Sequence, residues 1–316
     1  MICKVCGNSR NNLMVKIKEM IIGTRECFNY IECSNCGNLQ IMNKPENMGS
    51  YYPKNYYSFE NPIPSSFKEF FLKRRDKYAL YQKNIIGKII YKKYPFDFLK
   101  IMGTLGMEYN LKILDVGCGS GFLLRSLQRL GFNHLQGVDP FITKDIIEDG
   151  IQIFKKDIHG LPNGEKFDFI ILNHSFEHMD KQSEVLVKIS DILSENGVCV
   201  IAMPVKNGYI WNLYGADWVQ IDAPRHLSIH TLKSFNILLN KSSLVLKEII
   251  FNSDEFQFWG SEQNQQNIEL MAENSYLINP NKSIFTRKDI KTFKERSNEL
   301  NDKELGDQAV FVLKKP

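Results

Sequence analysis

The chain has 316 residues, of which 43% are hydrophobic, and a formal net charge of +4. This length fits one catalytic domain with additions, and the composition is typical of a globular protein. No apolar run approaches the roughly 18 residues that a membrane-spanning helix needs. The N-terminus lacks the charged and apolar segments of a secretory signal. We therefore expect a soluble, cytoplasmic protein without a membrane span.

Two cysteine pairs of the form CxxCG lie near the N-terminus. In a reducing compartment disulfides are disfavoured, so paired cysteines there more often bind a metal. Four thiolates at this spacing predict a closed, tetrahedral zinc site that is structural, in a ribbon over 1–45. The predicted ligands are Cys3, Cys6, Cys33 and Cys36. The remaining cysteines are expected to be small buried residues: Cys27, Cys118 and Cys199.

An aromatic linker and a basic helical region follow the ribbon, and together they are predicted to occupy 46–105. The linker carries tyrosines and a phenylalanine between Tyr51 and Phe59, followed by prolines that mark it as irregular. Its rings either attach the linker to the core or cover the mouth of a site. From Ser65 to Lys100, ten basic residues stand against three acids. A solvated helical face explains this excess, although nucleic acid, a nucleotide sugar or a phospholipid surface would also suit it.

A glycine turn follows the apolar run Leu111–Leu114: Asp115-Val-Gly-Cys-Gly-Ser-Gly121, before a predicted helix over Phe122–Leu130. A strand that ends in an acid and turns through glycines into a helix presents backbone N–H groups at the carboxyl edge of a sheet, where adenosyl cofactors bind. The nicotinamide fingerprint GxGxxG would need a further glycine at Phe122 or Leu124. The tighter turn favours S-adenosylmethionine (SAM), whose cationic amino group the Asp115 carboxylate can receive.

Two further acids follow predicted strands. Leu135–Asp139 is predicted to be the second strand, and it ends in a carboxylate where a doubly wound fold has its acceptor for ribose hydroxyls. Ile151–Ile158 is predicted to contain the third strand. There Asp157 either meets the adenine amino group or is a solvated loop acid.

With these motifs the chain resembles the class I SAM-dependent methyltransferases over Leu111–Leu313. The segments DVGCGSG and GVDP carry the resemblance. Phe167–His178 resembles the fourth strand of that family and the turn after it. Val198–Ala202 resembles the fifth strand, entered through an Asn196-Gly197 turn. The resemblance implies an α/β, Rossmann-like sheet of seven strands with an antiparallel last strand, in a domain over 106–316. It also implies a set of cofactor-binding residues: Asp115, Gly117, Cys118, Gly119, Asp139, Pro140, Asp157, Ile158 and Asn173.

Methyl transfer to a hydroxyl needs alignment and a group that accepts the hydroxyl proton, and histidine is the commonest side chain for that task. His178 is one candidate base, because it follows the fourth strand at the cofactor edge, and Glu177 beside it is a candidate hydrogen-bond acceptor. His226 is the second candidate. A purely structural role stays open for His178, and the reaction itself requires no metal ion.

The segment Asp222-Ala-Pro-Arg-His226, with Trp218 before it, resembles a subgroup of methyltransferases tied to bacterial surface polysaccharide or deoxysugar pathways. Several members of that subgroup carry an N-terminal cysteine ribbon. The resemblance implies a sugar, nucleotide sugar or glycan substrate, and Arg225 would bind its carboxylate or phosphate. C-methylating relatives carry a large C-terminal domain beyond the last strand, and its absence here favours O-methylation.

The C-terminal part is predicted to complete the sheet. A helix is expected from Thr231 to about Asn240, then a strand over Leu244–Phe251 and a final antiparallel strand over Gln308–Leu313. The polar segment 252–307 between these strands is interpreted as a partly helical insertion at a substrate mouth or a subunit contact. The oligomeric state is left open.

Two other functions remain open at this point. An rRNA methyltransferase with the ribbon as its RNA-docking module would use the basic region 65–100, although the nearly neutral chain disfavours it. A non-catalytic SAM-fold interaction protein would have no need of Asp115, Gly117 and Asp139, all of which are present.

Overall fold

The computed structural model describes residues 1–52 and 65–316. Residues 53–64, which include most of the predicted aromatic linker, lie outside the described residues. The N-terminal part forms three strands, β1 (Leu13–Lys18), β2 (Cys27–Glu32) and β3 (Leu39–Ile41). The predicted basic region forms three helices, α1 (Ser66–Tyr81), α2 (Ile85–Lys93) and α3 (Asp97–Thr104).

Strands and helices then alternate, which is the pattern of a doubly wound α/β fold. The first elements of this part are β4 (Ile113–Val116), α4 (Phe122–Leu130), β5 (Leu135–Val138), β6 (Ile146–Glu148), β7 (Ile151–Phe154), β8 (Phe167–Asn173), α5 (Gln182–Ile192) and β9 (Leu193–Pro204). The later elements are α6 (Gly208–Tyr214), β10 (Ser228–Ile229), α7 (Leu232–Leu239), β11 (Val245–Phe251), α8 (Phe256–Gln265), α9 (Arg287–Asp302) and β12 (Gln308–Lys314). Within the described ranges, no helix has the length and apolar character needed to cross a membrane.

Among the described strands, eight form one mixed sheet in the order β11-β12-β9-β8-β4-β5-β7-β6. The central strands are parallel, whereas β12 runs antiparallel to both β9 and β11. The predicted Rossmann-like fold with an antiparallel last strand is therefore confirmed. The predicted number of seven strands was wrong, because β6 pairs antiparallel with β7 and extends the edge of the sheet.

Helices cover both faces of this sheet. On one face, the buried core contains Phe176, Ile189 and Phe235, which come from the segment after β8 and from α5 and α7. On the other face, it contains Leu99 of α3 and Leu127 of α4. Burial on both sides explains why β4 and β8 are mainly apolar. The parallel order brings the carboxyl ends of these strands, and the segments that follow them, to one edge of the sheet.

Element boundaries agree with the sequence where strong local signals exist. Helix α4 begins and ends as predicted. Helix α7 follows Thr231, whose side chain accepts the N–H of Ser234 in a capping box. Asn196 and Gly197, predicted to form a turn before the fifth strand, fall within the range of β9. The pairing of β9 with β8 shifts register there: it passes from Leu193 to Val198 and does not include these two residues.

The N-terminal sheet is completed by a strand from a distant part of the chain. The two residues of β10 pair antiparallel with β3, so the segment after Asp222 becomes the fourth strand of the N-terminal sheet. A third core joins this sheet to α6, α8 and α9 and includes Tyr30, Trp218 and Phe258. The N-terminal sheet is thus packed against helices that belong to the rest of the chain. The division into 1–45, 46–105 and 106–316 stays a prediction.

The predicted insertion at 252–307 contains α8 and α9 and is partly helical, as expected. It packs against the N-terminal sheet: the backbone N–H groups of Leu270 and Met271 donate to the carbonyls of Met20 and Ile21, at 2.8 and 3.0 Å. None of its residues lines the cavity that lies at the carboxyl edge of the large sheet. These contacts favour a packing role for the insertion.

Candidate active site and cysteine cluster

The glycine turn after β4 is built so that only glycine fits its central positions. Gly117 has φ +76°, and a Cβ added there would lie 2.4 Å from Cβ of Ser175. Gly119 and Gly121 also have positive φ angles, and Gly121 is the N-cap residue of α4. The turn therefore exposes backbone atoms at the helix N-terminus without side chains in the way.

Asp139, at the end of β5, is tied to this turn. Its Oδ2 accepts the N–H of Gly119 at 2.9 Å, and its Oδ1 accepts the N–H of Phe141 at 2.8 Å. Burial raises the pKa of Asp139, and these hydrogen bonds oppose the effect. Each carboxylate oxygen has a second lone pair, so the side chain can still accept hydrogen bonds from a pair of hydroxyl groups.

Asp115 is the penultimate residue of β4 and is 4% exposed. Burial, with the nearby charge of Asp139, raises its pKa to about 7. The two carboxylates thus disfavour each other's ionisation. A cationic ligand group bound beside them would relieve this repulsion, which is the behaviour expected where a carboxylate receives an amino group.

A cavity of about 460 Å³ lies at this edge of the sheet. Some of the residues predicted to bind the cofactor line it: Gly117, Asp139, Pro140, Asp157 and Ile158. The others are close to it in the chain but do not line it: Asp115, Cys118, Gly119 and Asn173. Cys118 lies against β5, since a Cβ added at Gly137 would be 2.5 Å from its Sγ. Asp157 is the N-cap of a short turn and accepts the N–H of Gly160 at 3.1 Å.

Sequence reasoning missed several residues of the cavity wall. Lys44 and Tyr52 reach it from the N-terminal part, and Phe141 and Ser175 lie near the glycine turn. Lys44 forms an ion pair with Asp180 at 3.0 Å. The aromatic linker was a signal for Tyr52, but nothing in the sequence distinguishes Lys44 from other surface lysines. Further lining residues follow β8: His174, His178, Met179, Lys181, Glu184 and Val185.

Both candidate bases have their rings fixed by backbone carbonyls. Nδ1 of His178 donates to the carbonyl of Arg225 at 2.9 Å, and Nδ1 of His226 donates to that of Gln220 at 2.7 Å. The Nδ1–H tautomer leaves Nε2 of each neutral ring with a lone pair. His178 lines the cavity, whereas His226 is buried behind it, with ring centroids 4.6 Å apart. Burial and the neighbouring His178 lower the pKa of His226 to about 4.

Glu177 is 1% exposed and lies behind the cavity wall. Its Oε1 accepts a hydrogen bond from Nδ1 of His174 at 3.3 Å and is 3.9 Å from Nε2 of His226. Burial acts to raise the pKa of Glu177, but the hydrogen bond and the surrounding histidines outweigh it and lower the pKa to about 2. Glu177 is therefore an ionised carboxylate among histidines, and it does not face the cavity.

Arg225 is paired inside the protein. Its Nε and Nη2 donate to the two carboxylate oxygens of Asp222, at 2.9 and 2.6 Å, and the residue is 5% exposed. The guanidinium also lies 5.4 Å from the ring centroid of Tyr52, which lines the cavity. The structure thus positions Arg225 beneath Tyr52, and its predicted contact with a substrate anion stays a prediction.

The sequence profile of a family described as a methyltransferase domain matches residues 81–248, which is more than half of the chain. The chain belongs to this family. It is a SAM-dependent methyltransferase.

Similar proteins include the ubiquinone biosynthesis O-methyltransferase of Rickettsia bellii, which is 23% identical over 146 residues, or 42% of this chain and 60% of that protein. The mitochondrial ubiquinone biosynthesis O-methyltransferase of Candida albicans is 32% identical over 95 residues, or 26% of this chain and 28% of that protein. The similarity spans about 60% of the length of the Rickettsia bellii relative.

Similar solved structures include the cyclopropane synthase MmaA2 of Mycobacterium tuberculosis, with 16% identity and a TM-score of 0.43 over 81% of this chain and 100% of that chain. Another is the O-methyltransferase of a trans-AT polyketide synthase of Brevibacillus brevis, in complex with S-adenosyl-L-homocysteine. It has 16% identity and a TM-score of 0.44 over 81% of this chain and 82% of that chain.

The methyltransferase also carries the predicted cysteine cluster. The two CxxCG segments adopt the same turn: the N–H of Gly7 donates to the carbonyl of Cys3 at 2.9 Å, and that of Gly37 donates to Cys33 at 2.8 Å. Sγ of Cys3 lies 3.7 Å from Sγ of Cys36, and that of Cys6 lies 3.5 Å from Sγ of Cys33. All four sulfurs lie within 4.8 Å of one another.

The remaining cysteines are distributed differently. Cys199 is buried in β9, as predicted, and Cys118 is partly buried. The prediction for Cys27 was wrong, because this residue is exposed. It begins β2 next to the connection from β1, where it pairs with Lys18.

The cysteine cluster of the methyltransferase is connected to the histidine cluster by hydrogen bonds. The buried Tyr30 hydroxyl donates to the carbonyl of His226 at 2.9 Å. The hydroxyl of Thr231 donates to the carbonyl of Cys36 at 2.6 Å. The N–H of Leu227, in turn, donates to the carbonyl of Glu177 at 2.8 Å. The N-terminal sheet therefore holds the segment that carries His226.

Proposed function

We propose that the enzyme transfers the methyl group of SAM to a hydroxyl oxygen of a sugar or nucleotide sugar in bacterial capsule or lipopolysaccharide biosynthesis. The observation that supports O-methylation best is the position of His178. Its ring lines the cavity that Asp139 also lines, and its Nδ1 is held by a backbone carbonyl. The unprotonated Nε2 is then free to accept a proton from an acceptor hydroxyl.

The residues that line the cavity, and those next to it in the chain, fit SAM. The glycine turn gives close access to the backbone, Asp115 suits the cationic amino group, and Asp139 keeps lone pairs for the ribose hydroxyls. Asp157 and Ile158 would border the adenine. When bound, SAM supplies an electrophilic methyl group on a positively charged sulfur.

The chain's own contribution to the reaction is positioning and proton acceptance. The cavity wall holds the acceptor oxygen in line with the methyl group, and Nε2 of His178 takes the hydroxyl proton as the new oxygen–carbon bond forms. The carbon–sulfur bond breaks, and its electron pair stays on the sulfur. His226 and Glu177 pack behind His178 and would fix its orientation.

Two features support a polar, phosphate-bearing acceptor. The cavity lining includes two ion pairs, Lys44 with Asp180 and Lys181 with Glu184, beside His159. Both lysines would exchange these carboxylate partners for the phosphates of a nucleotide sugar. The second feature is the resemblance of the segment Asp222–His226 to sugar methyltransferases, which supports a sugar as the acceptor.

A second candidate acceptor is a hydroxyl of a ubiquinone precursor, because the relatives from Rickettsia bellii and Candida albicans are named ubiquinone biosynthesis O-methyltransferases. Both candidates share an oxygen acceptor and differ in its carrier. The polar side chains of the cavity lining favour the sugar.

For the cysteine cluster we propose a structural Zn²⁺ ion. Four sulfurs within 4.8 Å of one another match the donor set of a closed tetrahedral site. None of the four cysteines lines the cavity, so the ion would stabilise the N-terminal sheet and take no part in methyl transfer.

The proposal is tested with purified enzyme, methyl-labelled SAM, and a panel of nucleotide sugars and ubiquinone precursors. His178→Ala should lower turnover of the preferred acceptor by about 10²-fold, because it removes the proton acceptor, and should leave SAM affinity unchanged. The matched control is His134→Ala, at an exposed histidine outside the cavity lining. Unchanged turnover in His178→Ala would remove this residue from the mechanism.

A further inference from the structure

Behind the cavity wall, three side chains converge on one point. A carboxylate oxygen of Glu177 and one ring nitrogen each of His178 and His226 lie within 4.8 Å of one another. The three residues come from the segment after β8 and from the segment that the N-terminal sheet holds in place. Two imidazoles and one carboxylate form a donor set that suits a divalent transition-metal ion.

The histidines are oriented as metal ligands usually are. In both rings Nδ1 donates to a backbone carbonyl, at 2.9 Å for His178 and 2.7 Å for His226. This hydrogen bond fixes the tautomer and the ring plane and leaves the lone pair of Nε2 for coordination. For His226, that lone pair faces carboxylate oxygens of Glu177 and Asp222 at 3.9 and 3.6 Å, which is unfavourable without a cation between them.

A second observation is independent of the histidines. Oε2 of Glu177 is buried and has no hydrogen-bond partner among the described residues. A buried carboxylate oxygen without a partner is costly, and such atoms in native proteins usually mark an ion or a water. Asp222 is different, because Arg225 occupies both of its oxygens. The ligand set is therefore limited to three residues.

We propose that Glu177, His178 and His226 bind one divalent first-row transition-metal ion at the wall of the cavity. The inference rests on the proposed function, because the ion would act on the same acceptor hydroxyl. Three protein ligands leave a coordination position open, and His178 lines the cavity.

The ion would activate the acceptor hydroxyl for methyl transfer. Coordination lowers the pKa of the acceptor hydroxyl, and its proton leaves to solvent through the cavity. The oxygen then attacks the methyl group, the oxygen–carbon bond forms, and the carbon–sulfur bond breaks with its electron pair on sulfur. Nε2 of His178 serves as a ligand when the ion is bound, and in its absence it remains the proton acceptor described above.

Mn²⁺ is the probe, because it prefers nitrogen and oxygen donors to the thiolates of the cysteine cluster. The full-length protein is titrated with Mn²⁺, and the free ion is measured by electron paramagnetic resonance. We expect one saturable site per chain, weakened at least about tenfold by Glu177→Gln and by His226→Ala. His134→Ala should bind like the original protein. SAM titration of each variant checks that the fold is retained.

Absence of saturable Mn²⁺ binding, or equal affinity in all four proteins, would overturn the metal site. If the site fails while His178→Ala still loses turnover, the proposed function stands and the imidazole acts alone. If Mn²⁺ binds with the expected dependence but no hydroxyl acceptor is methylated, the metal site stands and the proposed function fails.

Discussion

Alanine substitutions at two glycines can distinguish backbone strain from steric clash with neighbouring atoms. Gly117 and Gly164 both have positive φ, +76° and +90°. An added Cβ at Gly117 would lie 2.4 Å from Cβ of Ser175, whereas at Gly164 it would meet no atom within 4 Å. The backbone penalty is shared, so a difference between the two alanine variants reports on the close approach at the cofactor turn.

Gly117→Ala should therefore weaken SAM binding by about tenfold or more, because Ser175 or the turn must move. The measurement is calorimetric titration with SAM. Gly164→Ala is the control, and it should lower thermal stability only modestly and leave SAM affinity unchanged. Equal SAM affinity in both variants would show that the turn at Gly117 does not touch the cofactor.

Asp115 predicts a pH dependence of cofactor binding. Burial raises its pKa to about 7, so the free protein holds a neutral carboxyl below that pH and a carboxylate above it. If the carboxylate receives the amino group of SAM, affinity should rise from pH 5.5 to 7.5 by about tenfold. Dissociation constants measured across this range test the prediction.

Two asparagine variants control this experiment. Asp115→Asn should abolish the pH dependence between 5.5 and 7.5. Asp307→Asn should retain it: burial also raises the pKa of Asp307 to about 7, but this carboxyl group accepts the indole N–H of Trp218 at 2.8 Å and is not part of the glycine turn. A pH dependence that survives in Asp115→Asn would assign the titrating group elsewhere.

At the scale of elements, the N-terminal sheet is connected to the active site through β10. Cys36 receives a hydrogen bond from Thr231, and Tyr30 donates to the carbonyl of His226. Loss of order around the cysteines should therefore reach the histidine cluster. The glycine turn, which belongs to the large sheet, should be spared.

Cys33→Ser should release the proposed zinc ion, lower the melting temperature and reduce turnover by about tenfold or more, while SAM affinity is kept. Zinc content by elemental analysis, calorimetric SAM titration and turnover provide the measurements. Cys27→Ser is the control, since Cys27 is exposed and outside the cluster. Loss of SAM binding together with zinc would contradict the separation of the two sites.

Sequence reasoning succeeded where a local signal determines an element. The apolar run before Asp115 and the glycines after it together predicted the turn and the helix that follows it, α4. It failed for β6, a short, largely exposed strand without an apolar alternation. Asn196-Gly197 was predicted to be a turn, and both residues lie in the irregular part of β9, between Leu193 and Val198, which pair with β8.

At the scale of the whole molecule, the site depends on contacts between distant parts of the chain. The pairing of β3 with β10 and the contact of Tyr52 with Arg225 join segments more than 150 positions apart. No local pattern encodes such contacts. His178 and His226 were both predicted as candidates, but that they stack at 4.6 Å and converge with Glu177 could not be read from spacing.

The structure of the basic region 65–100 is relevant to the alternative function as an rRNA methyltransferase. One of its basic groups is paired inside the protein: Arg75 forms an ion pair with the buried Asp76, which also pairs with Arg129 of α4. The region also exposes apolar side chains, including Ile85 and Ile89. An RNA-binding face would be expected to present its basic groups to solvent with few aliphatic side chains between them. These features disfavour the RNA alternative.

The central claim, methylation of a small-molecule hydroxyl, is tested most directly by following labelled methyl groups. Full-length enzyme and methyl-labelled SAM are added to a bacterial extract that is then separated into nucleotide-sugar and glycan, lipid, RNA and protein fractions. We predict label in the nucleotide-sugar and glycan fraction, as an O-methyl group, and its loss with His178→Ala. Label that is sensitive to ribonuclease, or that stays in the protein fraction, would contradict the account.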